Sequence, residues 1–222
     1  MTSRIDLYGF LGVGIGLLIG MIGHELSHAW TAVRLGDPTP RMMGRLTLNP
    51  KAHADPLGTI ILPGIFLVSI LFRSQLAFFF GYAKPVTIHP NRLRNPKRDS
   101  LIVALAGPAF NLAVVFAAAI WFRVTVPGAQ FERAIKVVDG GLPEMIFWIA
   151  VVNTFLFIIN ILPIPPLDGS KILTRFLSPR AAMRMEEWSQ YLLLFLIALF
   201  LVFRGLLSNI AEAIWAPILG LP

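Results

Sequence analysis

The sequence predicts an all-α polytopic membrane protein with about five transmembrane or re-entrant helical segments. Hydrophobic residues make up 56% of its 222 residues and charged residues only 14%, whereas soluble domains have about 45–50% and about 25%. The uncharged stretches 101–122 and 145–167 are each long enough to cross a hydrocarbon core of roughly 30 Å as helices. Helices are the expected spanning structure because lipid cannot hydrogen-bond exposed backbone groups.

Three further uncharged stretches bring the count to about five. Residues 7–23 form the first and continue through a polar cluster to residue 33, and the others are 57–72 and 188–203. The piece that precedes the last stretch is amphipathic, so we expect 178–207 to contain an interfacial helix followed by a final span.

We expect the chain to form one integral-membrane domain, 1–222, with its core at about residues 7–173, because every polar stretch is too short for a separate domain. The formal net charge of +7 fits a membrane protein, in which Lys and Arg collect in cytoplasmic loops. No basic patch interleaved with aromatic residues suggests nucleic-acid binding. There are no cysteines, so any metal ion must be held by His, Asp or Glu.

The first apolar segment carries an H-E-x-x-H motif, His-Glu-Leu-Ser-His, at residues 24–28. Positions i and i+4 share a helix face, so His24 and His28 can reach one metal ion. Glu25 stands beside them, placed to take a proton from a water molecule at the metal. The alternative is a set of polar residues satisfied inside a helix bundle. Ionisable residues are costly in a bilayer, so we prefer the functional interpretation.

A zinc site with two histidines needs a third protein ligand and one open position. Asp168 is the candidate because it follows the apolar stretch 145–167 in a segment with prolines at 163, 165 and 166. Prolines break the helix, which is tolerated at membrane depth only where the backbone lines a cavity or is buried in protein. A capping aspartate in a helix-ending turn is the alternative. We prefer Asp168 as a ligand because the motif otherwise lacks its third one.

The pairing of residues 24–28 with the segment 160–169 resembles the site-2 protease family of intramembrane zinc metalloproteases, the compact bacterial and archaeal type of peptidase family M50. Three other segments are similar to that family: 44–50 (Gly-Arg-Leu-Thr-Leu-Asn-Pro), 53–58 (His-Ala-Asp-Pro-Leu-Gly) and 106–111 (Ala-Gly-Pro-Ala-Phe-Asn). The resemblance therefore extends from about residue 20 to about residue 173, which is most of the chain.

The resemblance implies a zinc metalloendopeptidase with one Zn²⁺ per chain. His24, His28 and Asp168 would bind the ion, and Glu25 would be the general base. The implied substrates are single-span membrane proteins that are cut after an earlier trimming event. The implied contacts to the substrate or to its oxyanion come from Asn111 and Asn160.

Residues 44–48 alternate their side chains and predict a short membrane-associated strand or loop after the first span. A strand would place Gly44, Leu46 and Leu48 on one face, and its edge could hold an unwound substrate by β-augmentation. A plain cytoplasmic loop is an equally good interpretation of so short a pattern.

Residues of one site must lie at one membrane depth. The histidines lie in the second half of 7–33, Asn111 in the first half of 101–122, and Asp168 just past 145–167. These depths agree if the first of these spans runs outside to inside, the second returns outside and the third runs inside again.

Fourteen of the 19 Lys and Arg residues then fall in the loops 34–56, 73–98 and 163–187, which the positive-inside rule makes cytoplasmic. We therefore predict a multi-pass protein of the cell membrane with its active site toward the cytoplasmic face. Residues 57–72 must then begin and end on one side, which predicts a re-entrant hairpin. An ordinary transmembrane helix is the alternative.

Three other functions are compatible with a membrane protein that buries His and Asp. A metal-binding or transport protein would be expected to show internal repeats, which this sequence lacks, and it gives Glu25 no role. A membrane protease of prenylated protein ends would be expected to use a glutamate as third ligand. A catalytically silent relative would not need to retain Glu25.

Overall fold

The structure, a computed structural model, describes the following residues: 7–61, 64, 68, 84–125, 140–165, 167–174, 176–187 and 191. Every regular element in this part of the chain is a helix, which confirms the all-helical prediction. The three long helices are α1 (Leu7–Arg34), α4 (Pro96–Thr125) and α5 (Gly141–Ile161). Each is long and apolar enough to cross a membrane.

Short helical elements join and follow the long helices. They are α2 (Thr39–Met42), α3 (Pro50–His53), a π-helical turn (Pro56–Ile61), a 3₁₀ turn (Pro90–Arg92), α6 (Ser170–Thr174) and α7 (Pro179–Glu187). Helix α7 coincides with the predicted interfacial helix. The final span predicted after it lies outside the described residues, apart from Tyr191.

The three long helices pack against one another, and glycines on α1 allow the closest approach. A Cβ atom at Gly12 would lie 2.6 Å from the carbonyl oxygen of Met145, and one at Gly16 would lie 2.9 Å from the Cα of Ile149. Small residues at such contacts let helix backbones approach closely in a membrane, where lipid is as apolar as the side chains. Buried apolar side chains fill the remainder of this interface: Val13, Leu17, Met21, Val152 and Leu156.

The strand predicted at residues 44–48 is not confirmed, and the loop alternative matches the structure. Gly44 has φ +67°, and its N–H donates to the carbonyl of Arg41, while the N–H of Arg45 donates to the carbonyl of Pro40 (2.9 Å). These two bonds and the left-handed glycine form a Schellman motif, which closes the C-terminus of α2. The chain therefore turns at Gly44, where a strand would have to be extended.

The re-entrant hairpin predicted at 57–72 is only partly within the described residues. The chain forms the π-helical turn as far as Ile61, and beyond it only Gly64 and Val68 are described before Lys84. Both the hairpin and the ordinary transmembrane helix therefore stay predictions.

Candidate metal centre

The structure brings together the three side chains that the sequence predicts as metal ligands. His24 and His28 lie one turn apart on α1, with their Nε2 atoms 3.0 Å from each other. The Oδ2 atom of Asp168 lies 2.9 Å from Nε2 of His24 and 3.1 Å from Nε2 of His28. Both histidines are buried. One oxygen and two imidazole nitrogens thus converge on one point between α1 and the segment after α5.

The donor set fits a zinc ion of the catalytic type. Zinc bonds of about 2.05 Å in a tetrahedron place ligand atoms about 3.3 Å apart, close to the separations of 2.9–3.1 Å that these three atoms have. Two imidazoles and one carboxylate also leave the fourth position open, as a hydrolytic site requires. His24, His28 and Asp168 are therefore the residues that would hold the ion.

A glycine on α4 leaves room beside these ligand atoms. A Cβ atom at Gly107 would lie within 2.6 Å of the Nε2 atoms of both His24 and His28. Real Cβ atoms essentially never approach so closely, so any larger residue would occupy the space in front of the two nitrogens. The site therefore contains a space in front of the two nitrogens that only a glycine at residue 107 leaves open.

Helix α4 also fixes the orientation of both imidazoles. The Nδ1 atom of His28 donates to the backbone carbonyl of Val103 (2.6 Å), and Nδ1 of His24 donates to Oδ1 of Asn111 (2.7 Å). An imidazole that carries its proton on Nδ1 presents a lone pair at Nε2. Hydrogen bonds of this kind set the tautomer and direction of metal-ligating histidines.

The backbone after α5 presents Asp168 to the histidines. The helix ends at Ile161, and the N–H of Gly169 returns to the carbonyl of Asn160 (2.7 Å). The first N–H groups of α6 bond to backbone carbonyls, including that of Asp168, so its carboxylate is not their cap.

The two asparagines implied by the resemblance lie at different places. Asn111 is fully buried beside His24, and its Nδ2 donates to the carbonyl of Gly20 (3.2 Å) and to Oδ1 of Asn153 (3.0 Å). Asn160 donates its side-chain amide to the carbonyl of Leu156 one turn earlier (2.9 Å). A contact of either residue with substrate stays a prediction.

The general-base candidate Glu25 meets a segment that the sequence did not single out. Its Oε2 accepts the backbone N–H of Val86 (3.0 Å). Val86 belongs to 84–89, a stretch without helix or turn that is half-buried or exposed throughout. The stretch is fixed at one end by the N–H of Lys84 on the carbonyl of His53 (2.9 Å). The structure thus places a partly exposed backbone directly beside Glu25.

The other end of this stretch is held by Asp37, which is fully buried just after α1. Its Oδ2 accepts the N–H of His89 (2.7 Å), and its Oδ1 accepts the N–H (3.0 Å) and hydroxyl (2.5 Å) of Thr39. Burial alone would raise the pKa of Asp37, but these hydrogen bonds lower it below the usual value. Asp37 therefore anchors the 84–89 stretch as a charged acceptor.

The substitution Asp168→Asn tests the metal centre directly. We expect zinc affinity to fall by at least about 100-fold, because loss of a ligand should exceed the 10–100-fold cost of losing an outer partner. Zinc content after purification and competition with a chelator measure the change. Asp55→Asn is the control, since it makes the same change at a carboxylate that is not one of the three ligands and whose Oδ1 accepts the Gly58 N–H. Equal zinc affinity in Asp168→Asn and wild type would contradict the assignment.

Three long apolar helices around two histidines, an aspartate and a neighbouring glutamate define the class as membrane proteins with a catalytic-type metal site. The chain belongs to peptidase family M50, since the model of that family matches residues 12–203. This family membership confirms the resemblance stated from the motifs.

The relatives of the chain come from bacteria and archaea. It is 32% identical over 192 residues to YwhC of Bacillus subtilis, covering 86% of this chain and 80% of YwhC. It is 30% identical over 195 residues to Rip2 of Mycobacterium tuberculosis, covering 86% of this chain and 67% of Rip2. It is 35% identical over 106 residues to MJ0611 of Methanocaldococcus jannaschii, covering 46% of this chain and 48% of MJ0611. All three are named as inferred zinc metalloproteases. No solved structure matches the chain.

Proposed function

We propose that this protein is an intramembrane zinc metalloprotease that hydrolyses peptide bonds of membrane-spanning substrates, in the manner of regulated intramembrane proteolysis. The observation that carries the proposal is the convergence of His24, His28 and Asp168 within 3.1 Å beside Glu25 on an apolar helix. Membership of a peptidase family and the names of the relatives support it. A metal-binding or transport protein would not need a general base beside the ligands, and a silent relative would not need to retain one.

Zinc bound by these residues would supply Lewis-acid polarisation of the scissile carbonyl and make an attacking water more acidic. Glu25 takes the proton of that water on its carboxylate and delivers it to the leaving amine nitrogen. The Val86 N–H donates to one carboxylate oxygen of Glu25, which restricts the orientation of that side chain. His24 and His28 keep their Nε2 lone pairs directed at the centre through their Nδ1–H bonds.

The proposed substrates are single-span membrane proteins. A transmembrane helix has its carbonyls hydrogen-bonded, so the substrate must unwind before water can attack. The 84–89 stretch offers a partly exposed backbone next to Glu25, and Arg45 donates to the carbonyls of Ala52 and Lys84, which joins the 44–48 loop to it. We propose that an unwound substrate lies along these two segments, with Leu46 and Leu48 in contact with it.

We further propose that the protein lies in the cell membrane with its site toward the cytoplasm. His24 and His28 lie in the second half of α1, Asp168 follows α5, and Gly107 beside the ligands lies in the first half of α4, which supports a centre nearer to one membrane face. The loops on that face hold Arg34, Arg92 and Lys171 among the fourteen basic residues counted above. The positive-inside rule makes that face cytoplasmic.

The proposal is tested with the purified protein in liposomes and a panel of single-span test substrates. We expect cleavage that stops with a chelator, returns with added Zn²⁺ and is absent in Asp168→Asn. Soluble peptides of the same sequence serve as the comparison, because they show whether hydrolysis needs a membrane-spanning substrate. Bound zinc without cleavage of any substrate would instead favour a metal-binding protein or a silent relative.

A further inference from the structure

A chain of two buried side-chain amides runs from the metal ligand His24 to the interface between α1 and α5. Asn111 and Asn153 are both fully buried, and His24 is 7% exposed. The links are His24 Nδ1 to Asn111 Oδ1 (2.7 Å) and Asn111 Nδ2 to Asn153 Oδ1 (3.0 Å). Two amides placed in succession behind a metal ligand inside apolar helices are costly unless each polar atom has a defined partner.

The far end of the chain fixes the direction of every hydrogen bond in it. Nδ2 of Asn153 donates to the backbone carbonyls of Ile149 (2.8 Å) and Gly16 (3.3 Å). Carbonyl oxygens can only accept, so the Asn153 amide cannot be flipped without placing its oxygen against two other oxygens. Oδ1 of Asn153 must therefore face Asn111.

The same reasoning then applies to Asn111. Its neighbours on one side are Oδ1 of Asn153 and the carbonyl of Gly20 (3.2 Å), and both are acceptors. Asn111 has to turn its NH₂ group toward them, which uses both amide hydrogens and leaves Oδ1 facing His24. Because that oxygen accepts, Nδ1 of His24 must carry a proton, which leaves the lone pair on Nε2 in the neutral imidazole that binds a metal ion.

We propose that Asn153 and Asn111 form a relay that sets the tautomer and orientation of His24, so that Asn111 positions a metal ligand and does not donate to the oxyanion. The inference rests on the metal centre of the proposed function. It assigns a role to Asn153, a residue 42 positions from Asn111, and makes both asparagines positioning residues.

Two glycines of α1 allow the relay to reach its backbone acceptors. A Cβ atom at Gly20 would lie 2.8 Å from Oδ1 of Asn153 and 3.3 Å from Nδ2 of Asn111. At Gly16 it would lie 2.9 Å from the Cα of Ile149. The close contact of α1 with α5 thus brings the carbonyls that polarise the relay within reach of the amides.

The substitution Asn153→Leu removes the polarising residue. We expect zinc affinity to fall by about 10–100-fold, the usual cost of losing an outer partner of a ligand, because the Asn111 amide can then flip. Competition with a chelator gives the zinc Kd, without reference to protease activity. Thr154→Val is the control, since Thr154 is equally buried on the next position of α5 and its hydroxyl donates to the Ala150 carbonyl. It should bind zinc as wild type does.

The variant Asn111→Asp, used as a second background, distinguishes a relay through Asn153 from a packing effect of Asn153. In Asn111→Asp the carboxylate has two acceptor oxygens, so it accepts the His24 Nδ1–H in either orientation and needs no polarising partner. Asn153→Leu should therefore not weaken zinc binding by Asn111→Asp, since it also removes the Asn153 oxygen that faces the new carboxylate. An equal loss in both backgrounds would show that Asn153 acts by packing and would overturn the relay.

A direct readout covers the case in which Asn111→Asp does not fold. With ¹⁵N-labelled histidine, of which the chain has four, zinc-loaded wild type should show a His24 Nδ1–H signal shifted downfield by its hydrogen bond to Asn111. Asn153→Leu should lose that downfield shift, and an unchanged Nδ1–H signal would overturn the proposal. Failure of wild type to bind any zinc would instead contradict the metal centre itself, so the two failures are distinguishable.

Discussion

Replacing Glu25 by Gln is expected to remove peptide hydrolysis while the protein keeps its zinc. The change is nearly isosteric, and the amide oxygen of Gln can still accept the N–H of Val86 that Glu25 accepts at 3.0 Å. What is lost is the ability to take and return a proton. General acid–base catalysis contributes about 10²–10⁴-fold, so kcat on a single-span substrate should fall by at least that factor.

The measurement is kcat in liposomes together with zinc content on the same preparation. Glu187→Gln, an exposed residue at the end of α7, removes one carboxylate away from the centre and should change neither quantity. Hydrolysis that persists in Glu25→Gln would place the base elsewhere. Loss of zinc in Glu25→Gln would mean that Glu25 supports the ligands, so the rate alone could not assign the base.

The sequence predicted the ligand set from a motif and from what that motif lacked. Helical periodicity puts His24 and His28 on one face, and the missing third ligand pointed to Asp168, which follows an apolar stretch in a segment broken by prolines. The structure brings the three within 3.1 Å. A residue so distant in sequence could be named because the chain has only 12 Asp and Glu residues, most of which lie in loops.

Local alternation was a weaker guide at residues 44–48. Five residues are too few to distinguish a strand from a turn, and the left-handed glycine that closes α2 decided the local structure. The signal for a turn was present in the Thr-Pro-Arg-Met-Met-Gly run at 39–44, where a glycine follows a short potential helix. The contact of Val86 with Glu25 joins residues 61 positions apart in sequence, which no local pattern encodes.

The sequence alone could have indicated that Asn153 has a polar partner inside the helix bundle. It is an uncharged polar residue in the middle of the apolar stretch 145–167, and polar side chains inside spanning helices generally face the bundle and find partners there. Its particular partners were not predictable, because they depend on how closely α1 and α5 approach. Gly107 is similar, since a glycine in an apolar helix gives no indication of what fills the space beside it.

Gly107→Ala is expected to remove zinc binding by steric means. The added methyl group would lie within 2.6 Å of Nε2 of both His24 and His28. The imidazoles cannot easily withdraw, because their Nδ1 atoms are held by Val103 and Asn111 at 2.6 and 2.7 Å. We expect zinc affinity to fall by at least about 100-fold, more than the loss of an outer partner costs, and hydrolysis to fall with it.

Gly14→Ala is the matched control, since Gly14 also lies in a long apolar helix but a Cβ atom there meets nothing within 4 Å. Alanine in place of glycine stabilises a helix interior by roughly 0.5–1 kcal/mol, so weakening of the helix cannot explain a loss in Gly107→Ala. Zinc Kd and thermal unfolding of both variants complete the comparison. If Gly107→Ala folds and binds zinc as wild type does, the imidazoles move aside for the methyl group, and the space beside Gly107 is not required for zinc binding. If it folds without zinc while Gly14→Ala is unaffected, the missing side chain at residue 107 is a requirement of the metal centre, equal in effect to its ligands.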